Sequence, residues 1–292
     1  MESQKKHTPV YSFEFFPPKN EEGEERLRRT RERLAALGPR FFSVTFGAGG
    51  STRERTFETV VEIQKRSGID AAPHLSCIDA TPDSIRDMLQ RYRDNGIRDI
   101  VALRGDMPED SDGGPGHFQY ANELVEFIRQ EHGDYFRIEV GCYPEIHPDA
   151  PDAFTDVRNF KRKVDAGADS AMTQYFFAEE AYYEFVNECE RMGVDIPIVP
   201  GIMPIVNFQQ LARFSDACGA DIPRWLRRRL EAYQDDKDSL QAFGVDVVTR
   251  LCANLLEAGA PGLHFYTLNQ FRASEAIWHN LGLSEKIAAQ AD

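Results

Sequence analysis

Eight short runs rich in β-branched and aromatic residues recur along the chain at near-regular intervals, and charged amphipathic stretches separate them. The runs are Val10–Phe16, Phe41–Gly47, Ala71–Cys77, Asp99–Asp106, Arg137–Pro144, Ser170–Phe177, Ile196–Met203 and Gly262–Leu268. Strands separated by helical patterns run parallel, and their crossovers are right-handed, so eight such units point to an α/β fold that closes on itself. A (βα)8 TIM barrel needs about 250 residues, and 292 residues supply one with little left over. The reading is therefore a single barrel domain over 1–292, with no room for an appended regulatory domain. The long interval between the seventh and eighth strands predicts extra helices there, at Asn207–Cys218, Pro223–Tyr233 and Ser239–Ala258. An open doubly wound sheet would announce a Gly-rich turn after its first strand, and Glu14-Phe15-Phe16-Pro17-Pro18 is nothing like one. Gly47-Ala48-Gly49-Gly50 lacks the third glycine of a dinucleotide fingerprint and reads as a strand-to-helix turn.

Helix boundaries carry their own signals. Ser51 is placed to cap a helix over Thr52–Ser67, and Thr81-Pro82 reads as a cap followed by a first-turn proline. Gly68, Gly96, Gly167 and Gly193 each stand just past a helical pattern, where the chain turns with positive φ.

Charge and composition close off several function classes. With 34 basic and 48 acidic side chains the formal net charge is −14, which opposes a nucleic-acid or anionic-membrane surface. No apolar run approaches the roughly 20 residues of a membrane span. The polar Met1–His7 has no secretory h-region, so a cytoplasmic protein is expected. Five scattered cysteines form no C-x-x-C pair, which argues against a disulfide framework or a zinc knuckle. His74 has no second histidine at metal spacing, so no metal site is expected.

In a barrel of this kind chemistry gathers at the C-terminal ends of the strands. Those ends carry Glu14, Thr45, His74, Asp106, Tyr143, Gln174 and Tyr266, and the first six recur every 29 to 37 residues. Strand alternation puts Glu14 on one face with Ser12 and Phe16, opposite Phe13 and Phe15. With the phenylalanines packed on the helical ring, Glu14 enters the barrel mouth, where burial would raise its pKa and suit a general acid. The same alternation is read to place Asp106 inward with Ala102 and Arg104, beside a Gly105 that admits a ligand close to the backbone. His74 fits a ligand contact or a satisfied core position equally well. Further on, Asp156, Asn159 and Lys163 share a helical stripe flanked by Arg162, with Lys161-Arg162-Lys163 forming a dense positive run in an acidic chain. A solvated face and a seat for a phosphate-bearing ligand are both open.

Taken in order, several motifs resemble those of the methylenetetrahydrofolate reductase family. They include Ser12-Phe13-Glu14-Phe15-Phe16-Pro17-Pro18, Ser43-Val44-Thr45-Phe46-Gly47-Ala48, Ala72-Pro73-His74-Leu75-Ser76-Cys77-Ile78-Asp79 and Ala102-Leu103-Arg104-Gly105-Asp106. Tyr143-Pro144-Glu145-Ile146-His147-Pro148, Lys161–Ala168 and His264-Phe265-Tyr266-Thr267-Leu268-Asn269 continue the series, so the similarity runs from about Tyr11 to about Leu281. The resemblance implies a TIM barrel that binds FAD without a Rossmann motif. It implies a ping-pong oxidoreductase of one-carbon metabolism that oxidises NADH or NADPH and reduces 5,10-methylenetetrahydrofolate to 5-methyltetrahydrofolate.

By resemblance Glu14 is the general acid and Asp106 a catalytic anion beside flavin and pterin. Thr45, Phe46, Ala48, His74, Arg104, Gly105, Tyr143 and His147 would hold the flavin, ribityl chain and diphosphate; Asp156, Asn159, Arg162 and Lys163 would hold ribose and phosphates. Thr45, Gln174, Phe208, Tyr266, Gln270 and Arg272 would meet the substrates. At Gln270 the family usually has arginine, and Arg272 is expected to replace that charge. Relatives form homo-oligomers, which implies one here. The competing readings are the same reduction fed by a partner flavoprotein or ferredoxin, and a flavin-binding barrel without catalysis.

Overall fold

The computed structural model describes residues 1–46, 50–78, 80–105, 116–233 and 235–291. Strand β1 (Val10–Phe15) sets the pattern for the rest. Its pleat sends Phe13 and Phe15 outward, where they are buried against Phe42, Phe265 and Trp278 with ring centroids 5.0–6.2 Å apart. Ser12 and Glu14 therefore face the lumen. β2 (Phe41–Val44), β3 (Asp70–Ser76), β4 (Asp99–Leu103), β5 (Arg137–Cys142), β6 (Ser170–Thr173), β7 (Ile198–Val199), β8 (Gly201–Ile202) and β9 (Gly262–Tyr266) follow. Among the described residues they form one sheet in the order β7-β6-β5-β4-β3-β2-β1-β9-β8, every pair parallel.

Pro200 alone separates β7 from β8. Proline has no N–H to give a ladder, so the run predicted as one strand over Ile196–Met203 is broken into two short pieces. The halves divide the work: β7 pairs with β6, and β8 pairs with β9. The Pro200 carbonyl still accepts from the His264 N–H at 3.0 Å. Counted this way the ring has eight staves, and the TIM-barrel-like α/β fold expected from the repeat is the one found.

Helices alternate with the strands as predicted. Thr81 caps the helix Pro82–Asp94 in a reciprocal capping box with Ser84. The helix Gly50–Ser67 starts one residue ahead of Ser51, which is therefore not its cap. Gly68, Gly96, Gly167 and Gly193 all take positive φ. The long interval before β9 holds Phe208–Cys218, Arg224–Ala232 and Lys237–Ala258, close to the expected extra helices. No helix among the described residues is long and apolar enough to cross a membrane.

A layer of Phe41, Ala72, Val101 and Met172, flanked by Val10 and Leu103, fills the lumen. This layer corrects the reading of β4. Val101 pairs with His74 and Glu139, so the inward residues of β4 are Val101 and Leu103, while Ala102 packs with the helical ring. A one-residue error in pleat phase exchanges the two faces. Arg104 consequently reaches its partners from the outer phase, and Asp106 lies outside the described residues.

Candidate active site

Glu14 ends β1 with its carboxylate in the barrel mouth, 15% exposed. Its Oε2 lies 3.1 Å from His74 Nε2, 3.6 Å from His264 Nε2 and 3.5 Å from Ser43 Oγ. Behind it, Ser12 Oγ and His264 Nδ1 are 2.7 Å apart. Burial alone would push this carboxyl up, as expected. The His74 and His264 imidazoles beside it together outweigh burial and hold it down, at about 2. The expected raised pKa is thus overturned, because the barrel mouth that buries Glu14 also holds two imidazoles beside the same oxygen.

The neighbouring strand ends hold Glu14 in place. Thr267 Oγ1 donates to the Glu14 carbonyl at 2.6 Å. Tyr266 packs edge-on against His264, 5.2 Å between centroids, and its hydroxyl donates to the Thr173 carbonyl at 2.7 Å. Gly201 makes that contact possible, since a Cβ there would lie 2.1 Å from the Thr173 oxygen and 2.7 Å from the Tyr266 ring. Thr45 follows β2, its N–H donating to Phe15 O at 2.9 Å and its carbonyl accepting from Thr56 Oγ1 at 3.2 Å. Gln174 follows β6 and accepts from the Tyr175 N–H at 2.9 Å.

Beside the mouth a cavity of about 1180 Å³ runs along β4, β5 and the helix Ala153–Asp165. Phe46, Arg104, Gly105, Tyr143, His147, Asp156, Asn159, Arg162 and Lys163 all line it. The helical stripe is therefore a cavity wall and not a solvated face. Lys163 Nζ donates to the Gly141 carbonyl at 2.6 Å, and burial pulls its pKa down. The Asp156 carboxylate accepts from the His147 N–H at 2.8 Å, and Arg162 donates to Asn159 Oδ1 at 3.0 Å. His147 stacks edge-on with Tyr143, centroids 4.5 Å apart, and burial lowers its pKa. Arg104 bonds Asp149 at 2.7 Å across the opening. Gly105 has φ +88°, and a Cβ there would sit 1.9 Å from Ser76 Oγ. Its need is thus internal, whatever a ligand requires.

Other expected residues lie apart. Thr45 and His74 do not line this cavity, and Ala48 and Asp106 are outside the described residues. Phe208 heads its helix beneath the Arg227 guanidinium, 5.9 Å from the ring centroid. Gln270 and Arg272 line a second cavity, of about 810 Å³, on the rim between β8, β9 and β1. Among the described residues no group of three or more His, Cys, Asp or Glu is placed to hold a metal ion.

Two groups escaped the sequence reading. His264 and Ser12 complete the surroundings of Glu14, and they could have been found by parity: β1 and β9 pair Ser12 with His264 and Glu14 with Tyr266. Arg53 lines the large cavity with its Nε buried and unpartnered, its guanidinium 5.7 Å from the Phe46 ring centroid.

Comparison with known proteins covers nearly the whole chain. A family model described as methylenetetrahydrofolate reductase matches residues 1–282. The 5,10-methylenetetrahydrofolate reductase of Escherichia coli K12 is 45% identical over 272 residues, covering 93% of this chain and 90% of that protein. Methylenetetrahydrofolate reductase (NADH) 1 of Arabidopsis thaliana is 40% identical over 289 residues, and there the match spans 49% of the plant protein. A solved Clostridium thermocellum structure, described as binding two copies of 5-methyl-5,6,7,8-tetrahydrofolic acid, superposes over 98% of this chain and 97% of its own. Its TM-score is 0.66 at 17% identity, a likeness of fold. The chain belongs to the methylenetetrahydrofolate reductase family.

Proposed function

We propose that this protein reduces 5,10-methylenetetrahydrofolate to 5-methyltetrahydrofolate, using FAD and electrons from NADH or NADPH in a ping-pong cycle. The observation that carries the reading is Glu14, set in the mouth with two imidazoles on its carboxylate. The methylene bridge opens to a 5-iminium cation when the departing N10 is protonated, and Glu14 is the acid for that step. Its carboxyl is held low, so the proton it delivers would reach it through the neighbouring His74 and His264 imidazoles.

The large cavity suits FAD in size and in donors. Its volume lies just above the usual range of small-ligand sites, about 300–1,000 Å³, as a large dinucleotide needs, and the buried Arg53 Nε is a donor awaiting an acceptor. Arg104, Arg162 and Lys163 would meet the diphosphate, and Asp156 and Asn159 the ribose hydroxyls. Thr45, Phe46, Ala48, His74, Gly105, Tyr143 and His147 would follow the flavin and its ribityl chain. When bound, FAD would supply the hydride chemistry that links the nicotinamide to the folate carbon. Asp106, Gln174, Phe208 and Tyr266 would bound the space that both substrates use in turn.

An absorption spectrum is the first test: the purified protein should be yellow and should bleach anaerobically with NADH. Turnover of NADH with menadione by the lone chain excludes a partner flavoprotein as the obligatory donor. In Glu14→Gln, bleaching persists while folate reduction falls by about 10²–10⁴-fold. Full folate activity in that variant would remove Glu14 as the acid.

A further inference from the structure

Between β5 and the helix Ala153–Asp165 the chain makes one costly turn. Ile146 has φ 66°, in the left-handed region that a β-branched side chain rarely enters. Burial does not compensate for this, because the Ile146 side chain stays 42% exposed. Its neighbours on both sides are held instead. Downstream, the His147 N–H donates to the Asp156 carboxylate at 2.8 Å, and His147 Nδ1 accepts from the Asp149 N–H at 3.0 Å. These bonds set the imidazole on the wall of the large cavity, beside Tyr143. Upstream, the Glu145 carboxylate accepts from the Asp221 N–H at 2.9 Å, from a residue 76 positions further along the chain.

The segment that carries Asp221 is itself fixed. The helix Phe208–Cys218 ends at Gly219, whose φ of 78° turns the chain back against the strained turn. A Cβ on Gly219 would lie 3.2 Å from the Pro148 ring and 3.7 Å from the Ile146 carbonyl oxygen, so the two turns are packed in contact. Ile222, next to Asp221, is buried in the core. Glu145 therefore binds a donor that does not move away, through a charge-assisted bond stronger than a neutral one. With that anchor gone, a strained Ile146 would relax and carry His147 with it.

We propose that Glu145 is a positioning residue for the cofactor: its bond to the Asp221 N–H keeps Ile146 left-handed and so presents His147 to the flavin cavity, which Glu145 itself does not line. The proposal rests on the flavin reading above. If the turn relaxes in part of the molecules, apparent FAD affinity falls with the fraction still competent. Glu145→Ala should bind FAD about 10-fold more weakly than the wild type, read by quenching of flavin fluorescence on the full chain freed of cofactor. Glu145→Gln keeps an acceptor oxygen and should stay within about threefold of the wild type. Glycine enters the left-handed region freely, so Glu145→Ala/Ile146→Gly should also return to within about threefold, a rescue that general loosening would not permit. Hydrogen exchange of residues 143–150 in the same cofactor-free chain reads the turn without flavin, and should quicken in Glu145→Ala and slow again in the double variant. A wild type that binds no FAD but shows this exchange pattern would defeat the flavin reading and keep the tether. Unchanged affinity in Glu145→Ala, failure of glycine to restore it, or exchange that ignores both changes would overturn the proposal.

Discussion

The two ends of the barrel lumen each bury a carboxylate, and they treat it in opposite ways. At the mouth, Glu14 faces His74 and His264 and is held down at about 2. At the floor, Asp99 begins β4 with its side chain 1% exposed and is pushed up to about 6. Burial dominates there; Arg40, 3.4 Å away, opposes it, while the neighbouring Glu139 and Asp70 charges add to it. Burial has the same sign at both sites, so the difference between them comes from the partners, which together overcome burial at Glu14 and do not at Asp99. A carboxylate whose nearest charges are proton carriers stays ionised beside a transferable proton, as an acid–base centre needs; one whose neighbours include other acids keeps its own proton longer and does structural work only.

The pH dependence of stability should separate the two. Below pH 4.5 the unfolded chain takes up a proton at Glu14 before the folded chain does, so its contribution disappears as pH falls toward 2. The span corresponds to about 3 kcal/mol. Asp99 works the other way, because between pH 3.8 and about 6 the folded chain is the one that holds the proton. Its contribution is therefore largest in acid and declines through that window by about 3 kcal/mol. Denaturant unfolding across pH should show Glu14→Gln gaining on the wild type as pH drops below 4.5. Asp99→Asn should gain as pH rises from 4 to 6 and hold that gain above it. Parallel curves for either variant would mean that the assigned partners do not set its proton affinity.

How far the sequence foretold each region follows from the same physics. The eight strands, the extra helices and the inward turn of Glu14 rest on local alternation, which the chain displays directly. So does the helix wall of Asp156, Asn159, Arg162 and Lys163, whose spacing alone left its exposure open until the cavity resolved it. What could not be read was the pairing across strands 250 residues apart in sequence: Ser12 with His264 depends on β9 closing onto β1. The sign of the Glu14 shift depended on that closure, which is why burial alone misjudged it. The phase of β4 failed for a different reason: Ile100–Leu103 is apolar on both faces, and the one polar residue on the inner face, Asp99, reads as a strand start and not as a marker of phase.

A kinetic comparison sharpens the contrast. His264→Ala removes one imidazole from Glu14 and leaves Ser12 Oγ without its partner. Losing part of the cluster that supplies the proton should lower the folate half-reaction by about 10–100-fold. Reduction by NADH needs no proton from Glu14 and should change less than threefold, about 0.7 kcal/mol. Rapid-mixing measurements of each half-reaction test this. Equal losses in both would show that His264 shapes the flavin site generally and does not serve Glu14.

The smallest effect concerns placement without charge. Thr267 Oγ1 donates to the Glu14 carbonyl at 2.6 Å, tying the turn after β9 to the end of β1. Thr267→Val keeps the shape and removes that donor, at a cost of about 1 kcal/mol in unfolding free energy. The floor has no comparable tether to the chemistry, so Asp99→Asn should leave kcat within twofold while Thr267→Val lowers it about threefold by loosening the strand that presents the acid. A valine variant that loses stability but keeps full turnover would show that β1 is held in place without Thr267, and that the mouth is as tolerant of a lost hydrogen bond as the floor.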